Sequence, residues 1–357
     1  MSMKILLLGE FSGLHKNLKE GLQKLGHEVV IASYGDGFKK IPSDISFESK
    51  LPGILGKIWR ILIPLTKLSE LRGFDVVQLI NPFYFNPKYF PINFFYNQII
   101  RSNSKFFILG AGDDSYFWRY GRKKLKYSPF SDFLKYDLRS NYYYMQSDKS
   151  FRLNQKIVKL SNGLIPIMYE YEISYQGNDR LLDTIPIPVN IDKVKFQKNI
   201  IGKKIVIFHG LNRYGFKGTR HVEKAFEYLK SKYPDDLEFI IDGKMPLQQY
   251  LKVMRQANVV IDQMYSHSLG VNGVYALAMG KVVMGGAELE SLKSLGVESS
   301  PVINLKPNAE SIIKEVEVLL KKKNQIQEMG RESRKFAEAI HGHVKVAKQY
   351  IDTWSNH

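Results

Sequence analysis

The chain has 357 residues, 44% hydrophobic and 24% charged, which is the composition of a globular protein long enough for about two domains. Its lack of cysteine excludes a disulfide framework and any thiolate metal site, and fits a reducing compartment. The net charge of +17, spread over both halves, suits a phosphorylated substrate or an anionic membrane surface; nucleic acid is set aside because no helix-turn-helix, zinc-finger or RNA-recognition signature is present.

In chain order, residues 5–8 form a continuous apolar run of the kind found in buried parallel strands. No secretory leader precedes them and no uncharged stretch is long enough to span a bilayer, so a cytoplasmic protein is expected. Leu14, Leu18, Leu22 and Leu25 then recur at helical spacing, Gly26 ends the helix, and residues 29–32 read as the next strand. Together these make a βαβ unit, which requires a right-handed crossover. Residues 51–68, "LPGILGKIWRILIPLTKL", read either as a membrane-interface helix or as a core-packing helix with snorkelling cations. Further strands are expected at 76–80, 105–109 and 164–167, and residues 113–127 add a second aromatic and basic cluster.

Prolines and an asparagine punctuate residues 184–193, which marks a linker. A second alternating set follows. It has strands at 204–210, 237–243, 257–262 and 301–305, and helices at 221–230, 247–256 and 309–323. The expected class is therefore α/β, with two Rossmann-like doubly wound domains and a ligand cleft between their strand carboxyl ends. The boundaries are 1–188 for the first domain and 189–340 for the second.

The stretch "FHGLNRYGFKGTRHVEKAFEYL" ends a strand at Gly210, displays Arg213 and Lys217 on a loop, and starts a helix near Gly218. Cations beside free helix amides at a strand's carboxyl end suit a diphosphate. About forty residues on comes "ANVVIDQMYSHSLGVNGVYALAMGKVVMGGAE". The pair resembles the donor half of a GT-B glycosyltransferase, in the mostly retaining group that includes sucrose and glycogen synthases and polysaccharide-assembly enzymes. The resemblance extends to "GEFSGLH" at the first turn, "IPIPVNID" at the linker and "HGHVKVAKQYIDTW" at the end, where the group's last helix crosses back onto the first domain. Residues 341–357 are accordingly assigned to the first domain.

The resemblance implies that Arg213, Lys217 and Gly218 bind the diphosphate of a nucleotide-sugar. It also implies two glutamates eight positions apart, but aligning Gly280–Lys281 with the group's Gly-Lys puts His267 and Tyr275 in those places. Glu288 and Glu290 are then the candidates for holding the ribose. Asn272 is a candidate for a sugar hydroxyl or, on the plainer reading, a helix cap. Gly270 and Gly273 would let backbone amides approach the donor.

In the first domain Gly9, Ser12 and Gly13 form the acceptor-side turn, with His15 as base or as donor to the leaving phosphate. Asp113 or Asp114 would position the attacking hydroxyl, the alternative being a helix-start role. No Asp-x-Asp, His-Glu-x-x-His, Gly-x-Gly-x-x-Gly or P-loop motif occurs, so neither a metal nor a cofactor is expected. The implied function is metal-independent, retaining transfer of a sugar from a nucleoside diphosphate to a glycan or lipid-linked glycan. A nucleotide-sugar epimerase and a non-catalytic binding subunit are the alternatives.

Overall fold

The computed structural model describes residues 2–136, 144–211 and 214–357. Among them, β1 (Lys4–Leu8), β2 (Glu28–Ser33), β3 (Ile45–Ser46), β4 (Val76–Leu79), β5 (Lys105–Gly110) and β6 (Gly163–Pro166) form one sheet, in the order β3-β2-β1-β4-β5-β6. All its pairings are parallel; Leu6, for example, stands opposite Val30 on one side and Val77 on the other. The second sheet comprises β7 (Ile205–Gly210), β8 (Leu237–Asp242), β9 (Val259–Ile261), β10 (Val282–Gly285) and β11 (Ile303–Asn304). It is also parallel and runs β11-β10-β9-β7-β8.

These strands form where the apolar runs predict, because a parallel strand covered on both faces needs apolar side chains on both. Ile5, Leu6, Leu7 and Leu8 are all fully buried. The short β3 has no such run and was not anticipated. Each sheet reverses its winding beside its first strand, so the carboxyl ends there diverge and leave a crevice.

The first helix, Leu14–Lys24, buries Leu14, Leu18 and Leu22 against the sheet. Its Gly21 meets the last helix, His343–Asn356. A Cβ at Gly21 would lie 2.2 Å from the His343 carbonyl oxygen, so the two backbones touch only because that atom is missing. The last helix buries Val346, Ala347, Tyr350 and Trp354, and the Trp354 indole donates to Gln78 Oε1 of β4 at 2.9 Å. It thus packs on the first sheet, although the chain reaches it from the second. The outgoing and returning crossings lie side by side: the Val189 amide donates to the His341 carbonyl at 2.8 Å, and the His343 amide to the Val189 carbonyl at 3.0 Å.

Gly21→Val is expected to lower stability by about 1–3 kcal/mol, as overpacking a close contact does. A thermal melt followed by circular dichroism checks this; an unchanged midpoint would mean that the helices separate at no cost.

Candidate active site in the interdomain cleft

A cleft of about 470 Å³ lies between the carboxyl ends of the two sheets. On the second-domain wall, β7 runs out at Gly210 and the chain enters the helix Thr219–Lys232 through Gly218, whose φ of 75° is left-handed. Lys217 precedes this cap and lines the cleft. Its ammonium donates to Asp262 Oδ1 at 2.9 Å, and Asp262 itself is almost completely buried just after β9.

The other oxygen of Asp262 accepts the Gly270 amide at 2.7 Å. Gly270 is the N-cap of the helix Val271–Met279. One buried carboxylate therefore ties the loop cation to a second helix N-terminus, and both elements face the cleft. Gly273 serves this packing as well, since a Cβ there would stand 2.9 Å from Asp262 Oδ2. With Gly270 in the cap position, Asn272 falls in the first turn and lines the cleft, so the plain helix-cap reading does not apply to it. Arg213 lies outside the described residues.

Glu288 and Glu290 do not line the cleft. Glu288 Oε1 accepts from the Tyr127 hydroxyl at 2.6 Å, from Lys306 Nζ at 2.6 Å and from Asn304 Nδ2 at 3.1 Å. Burial opposes its ionisation, but the bonds from Lys306, Tyr127 and Asn304 prevail and hold its carboxyl at about 2. Glu288 thus joins the second domain to Tyr127 of the first. Glu290 is half-buried nearby.

The two positions that lack the expected acids also meet the first domain. The Tyr275 hydroxyl accepts from Asn17 Nδ2 at 2.8 Å. It fits there because Gly13 has no side chain: a Cβ at Gly13 would sit 2.7 Å from that oxygen. The His267 ring stacks on Tyr127 with centroids 4.5 Å apart.

Behind His267 stands a residue that motif reading missed. Glu170, on the helix Tyr169–Tyr175 after β6, lines the cleft and is 1% exposed. Its Oε1 accepts the Ser266 hydroxyl, the His267 amide at 2.6 Å and the Ser268 amide at 3.0 Å. A first-domain carboxylate therefore fixes the loop that leads into Gly270.

On the first-domain wall, Gly9, Ser12 and Gly13 take φ values of 94°, 59° and 89°, a turn that L side chains resist. Ser12 lines the cleft, together with Asp36 and Lys39. Lys39 donates to both the Ser12 hydroxyl and Asp36, which puts a second cation in the cleft. Asp36 and Lys39 were also missed; their only signal was the turn "YGDGFKK" after a strand.

His15 requires a correction. It is fully buried, its Nδ1 lies 2.7 Å from the Gly9 carbonyl, and it does not line the cleft. Burial lowers it to about 4, so at neutral pH it is uncharged and donates to Gly9. The left-handed turn rotates the start of the helix so that position 15 points into the protein.

Asp113 and Asp114 separate in the same way. Asp113 lines the cleft. Asp114 is fully buried, accepting the Phe117 amide at 2.8 Å and the Tyr175 hydroxyl at 2.7 Å. Burial raises its carboxyl to about 6. Its place is that of a helix-start residue, and the acceptor-positioning expectation is withdrawn from it.

No family model matches the chain, and no curated protein matches it. Solved structures do. HepE from Anabaena, in complex with UDP-glucose, aligns with a TM-score of 0.63 at 14% identity, covering 99% of this chain and 100% of that one. Sucrose-phosphate synthase from Thermosynechococcus elongatus aligns with a TM-score of 0.63 at 13% identity, covering 99% and 98%. MnaA from S. aureus, in complex with UDP, aligns with a TM-score of 0.54 at 15% identity, covering 98% and 95%. Two parallel α/β sheets that face one another across a cleft, in a chain that matches these structures end to end, establish the GT-B fold.

Proposed function

We propose that the protein is a glycosyltransferase that moves a sugar from a nucleoside diphosphate to a glycan acceptor, with retention of configuration and without a metal ion. The observation that carries this reading is the Lys217–Asp262–Gly270 assembly, which sets a held cation and two helix N-termini on one wall of the cleft.

A diphosphate on that wall receives the Lys217 ammonium and the amides at the starts of the helices Thr219–Lys232 and Val271–Met279. Arg213, four positions before Lys217 in the sequence, would add a guanidinium fork to the same diphosphate. Asn272 offers a donor and an acceptor to the sugar hydroxyls. Asp113, on the opposite wall, accepts from a neighbouring hydroxyl of the acceptor sugar and so orients the attacking one for front-face attack, while the departing diphosphate takes the attacking hydroxyl's proton. In this scheme positive charge on the leaving group matters more than a carboxylate nucleophile, so His267 and Tyr275 in place of the two glutamates are compatible with it. The bound UDP-glucose and UDP of HepE and MnaA support a uridine nucleotide as the first donor to try.

The test is calorimetric titration with UDP, GDP and dTDP, followed by a mass-spectrometric screen of their sugars with EDTA present. Micromolar binding of one nucleotide and EDTA-resistant transfer are expected. Binding of none would overturn the proposal. Isomerisation of the donor sugar without acceptor would replace it with an epimerase, and binding without turnover with a non-catalytic subunit.

A further inference from the structure

The helix Gly53–Thr66 is built the wrong way round for a core element. It buries Gly56, Ile63 and Pro64, while Ile54 is 76% exposed, Leu55 72%, Ile58 51%, Trp59 42% and Leu62 40%. Residues 54, 58 and 62 and residues 55 and 59 follow the four-residue helical step, so the exposed side chains form one continuous apolar face. Lys57 and Arg60 are exposed on the same helix, and no acid occurs between Glu48 and Glu70.

The helix is anchored to the first domain by the side opposite this face. The Tyr34 hydroxyl donates to the Arg60 carbonyl at 3.1 Å, and the Arg60 guanidinium lies 4.9 Å from the Tyr34 ring centroid. Tyr34 immediately follows β2, and Asp36, two residues on, lines the cleft. The helix that bears the exposed apolar face and the first-domain rim of the cleft are therefore both held by the segment that follows β2.

We infer that this face is a docking surface for an anionic lipid bilayer. A helix of 14 residues is roughly 21 Å long, too short to cross a membrane, so it lies in the interface with its apolar side down. No helix among the described residues is long and apolar enough to cross. The acid-free, cationic frame of the face and the chain's net charge of +17 complement anionic headgroups. If the transferase reading holds, a bilayer at this face brings a lipid-linked saccharide to the acceptor side of the cleft. The docking itself does not depend on that reading.

The test is co-sedimentation of the full chain with phosphatidylcholine vesicles, with or without phosphatidylglycerol. The protein is expected to pellet with the anionic vesicles at low salt and to be released at high salt. Lys57→Ala should weaken the partition about fivefold, the effect of one cation near an anionic surface. Ile58→Glu combined with Leu62→Glu should abolish pelleting and leave the thermal melt unchanged, since both side chains are already exposed. Failure of the wild type to pellet, equal pelleting without phosphatidylglycerol, or undiminished pelleting of the double variant would overturn the proposal. So would a wild-type dimer that the double variant dissociates, because a second copy would then cover the face. None of these readouts requires transfer, so a negative result would leave the nucleotide-sugar reading standing.

Discussion

Replacing Glu170 with alanine is expected to lower stability by about 2–5 kcal/mol and to weaken nucleotide-sugar binding as well, because a buried donor left without its acceptor costs about 1–3 kcal/mol. Three donors lose their acceptor together: the Ser266 hydroxyl and the amides of His267 and Ser268. All three sit on the loop that leads to Gly270 and Asn272, so the damage reaches the proposed donor wall. Glu170→Gln keeps an acceptor oxygen and is expected to recover part of both losses. Thermal melts together with nucleotide titrations read the two effects. If Glu170→Ala leaves the melt and the affinity unchanged, Glu170 is not the clasp described above.

Lys217→Ala is expected to weaken nucleotide diphosphate binding by about 1–3 kcal/mol, the worth of a hydrogen bond to a charged group. It also strands Asp262, which is 1% exposed, without its cation. Removing one partner of a buried ion pair costs about 3–5 kcal/mol, so the single variant loses stability too. The double variant Lys217→Met with Asp262→Asn separates the two effects. It carries no stranded charge and is expected to regain much of the stability, but the phosphate contact stays lost. Calorimetry with UDP beside a urea melt measures both; wild-type affinity in Lys217→Ala would remove Lys217 from the site.

The site itself was only partly legible. The places of Lys217, Gly270 and Asn272 on the cleft wall, and of Gly218 at the helix start, could be read because loop-to-helix starts leave a local mark in the chain: glycine at a left-handed or cap position beside a polar residue. His15 and Asp114 have the right residue types next to the right strands, but their side chains turn inward. In the first case the direction is set by the left-handed residues Gly9, Ser12 and Gly13 of the preceding turn, and in the second by Tyr175 and the Phe117 amide. A one-residue difference in phase separates Asp113 in the cleft from Asp114 in the core, and composition does not carry that phase. Glu170 and Asp262 left no motif because their roles consist of contacts across the chain. Glu170 reaches a loop nearly one hundred positions away, and Asp262 reaches back to Lys217.

The sequence alone determined the two α/β halves, their strands apart from β3, and the loop-to-helix start at Lys217 and Gly218. Hydrophobic runs, helical periodicity and glycine placement are local properties, and local sterics and burial read them directly. Only the tertiary structure decided which acids face the cleft, which carboxylate braces the loop before Gly270 and which side of the Gly53–Thr66 helix is left uncovered. The last case shows the physical reason most plainly. An apolar helix reads the same in sequence whether or not something packs on it, and burial depends on neighbours that the remainder of the chain has to supply. Here they cover Gly56, Ile63 and Pro64 and leave Ile54, Leu55 and Ile58 exposed.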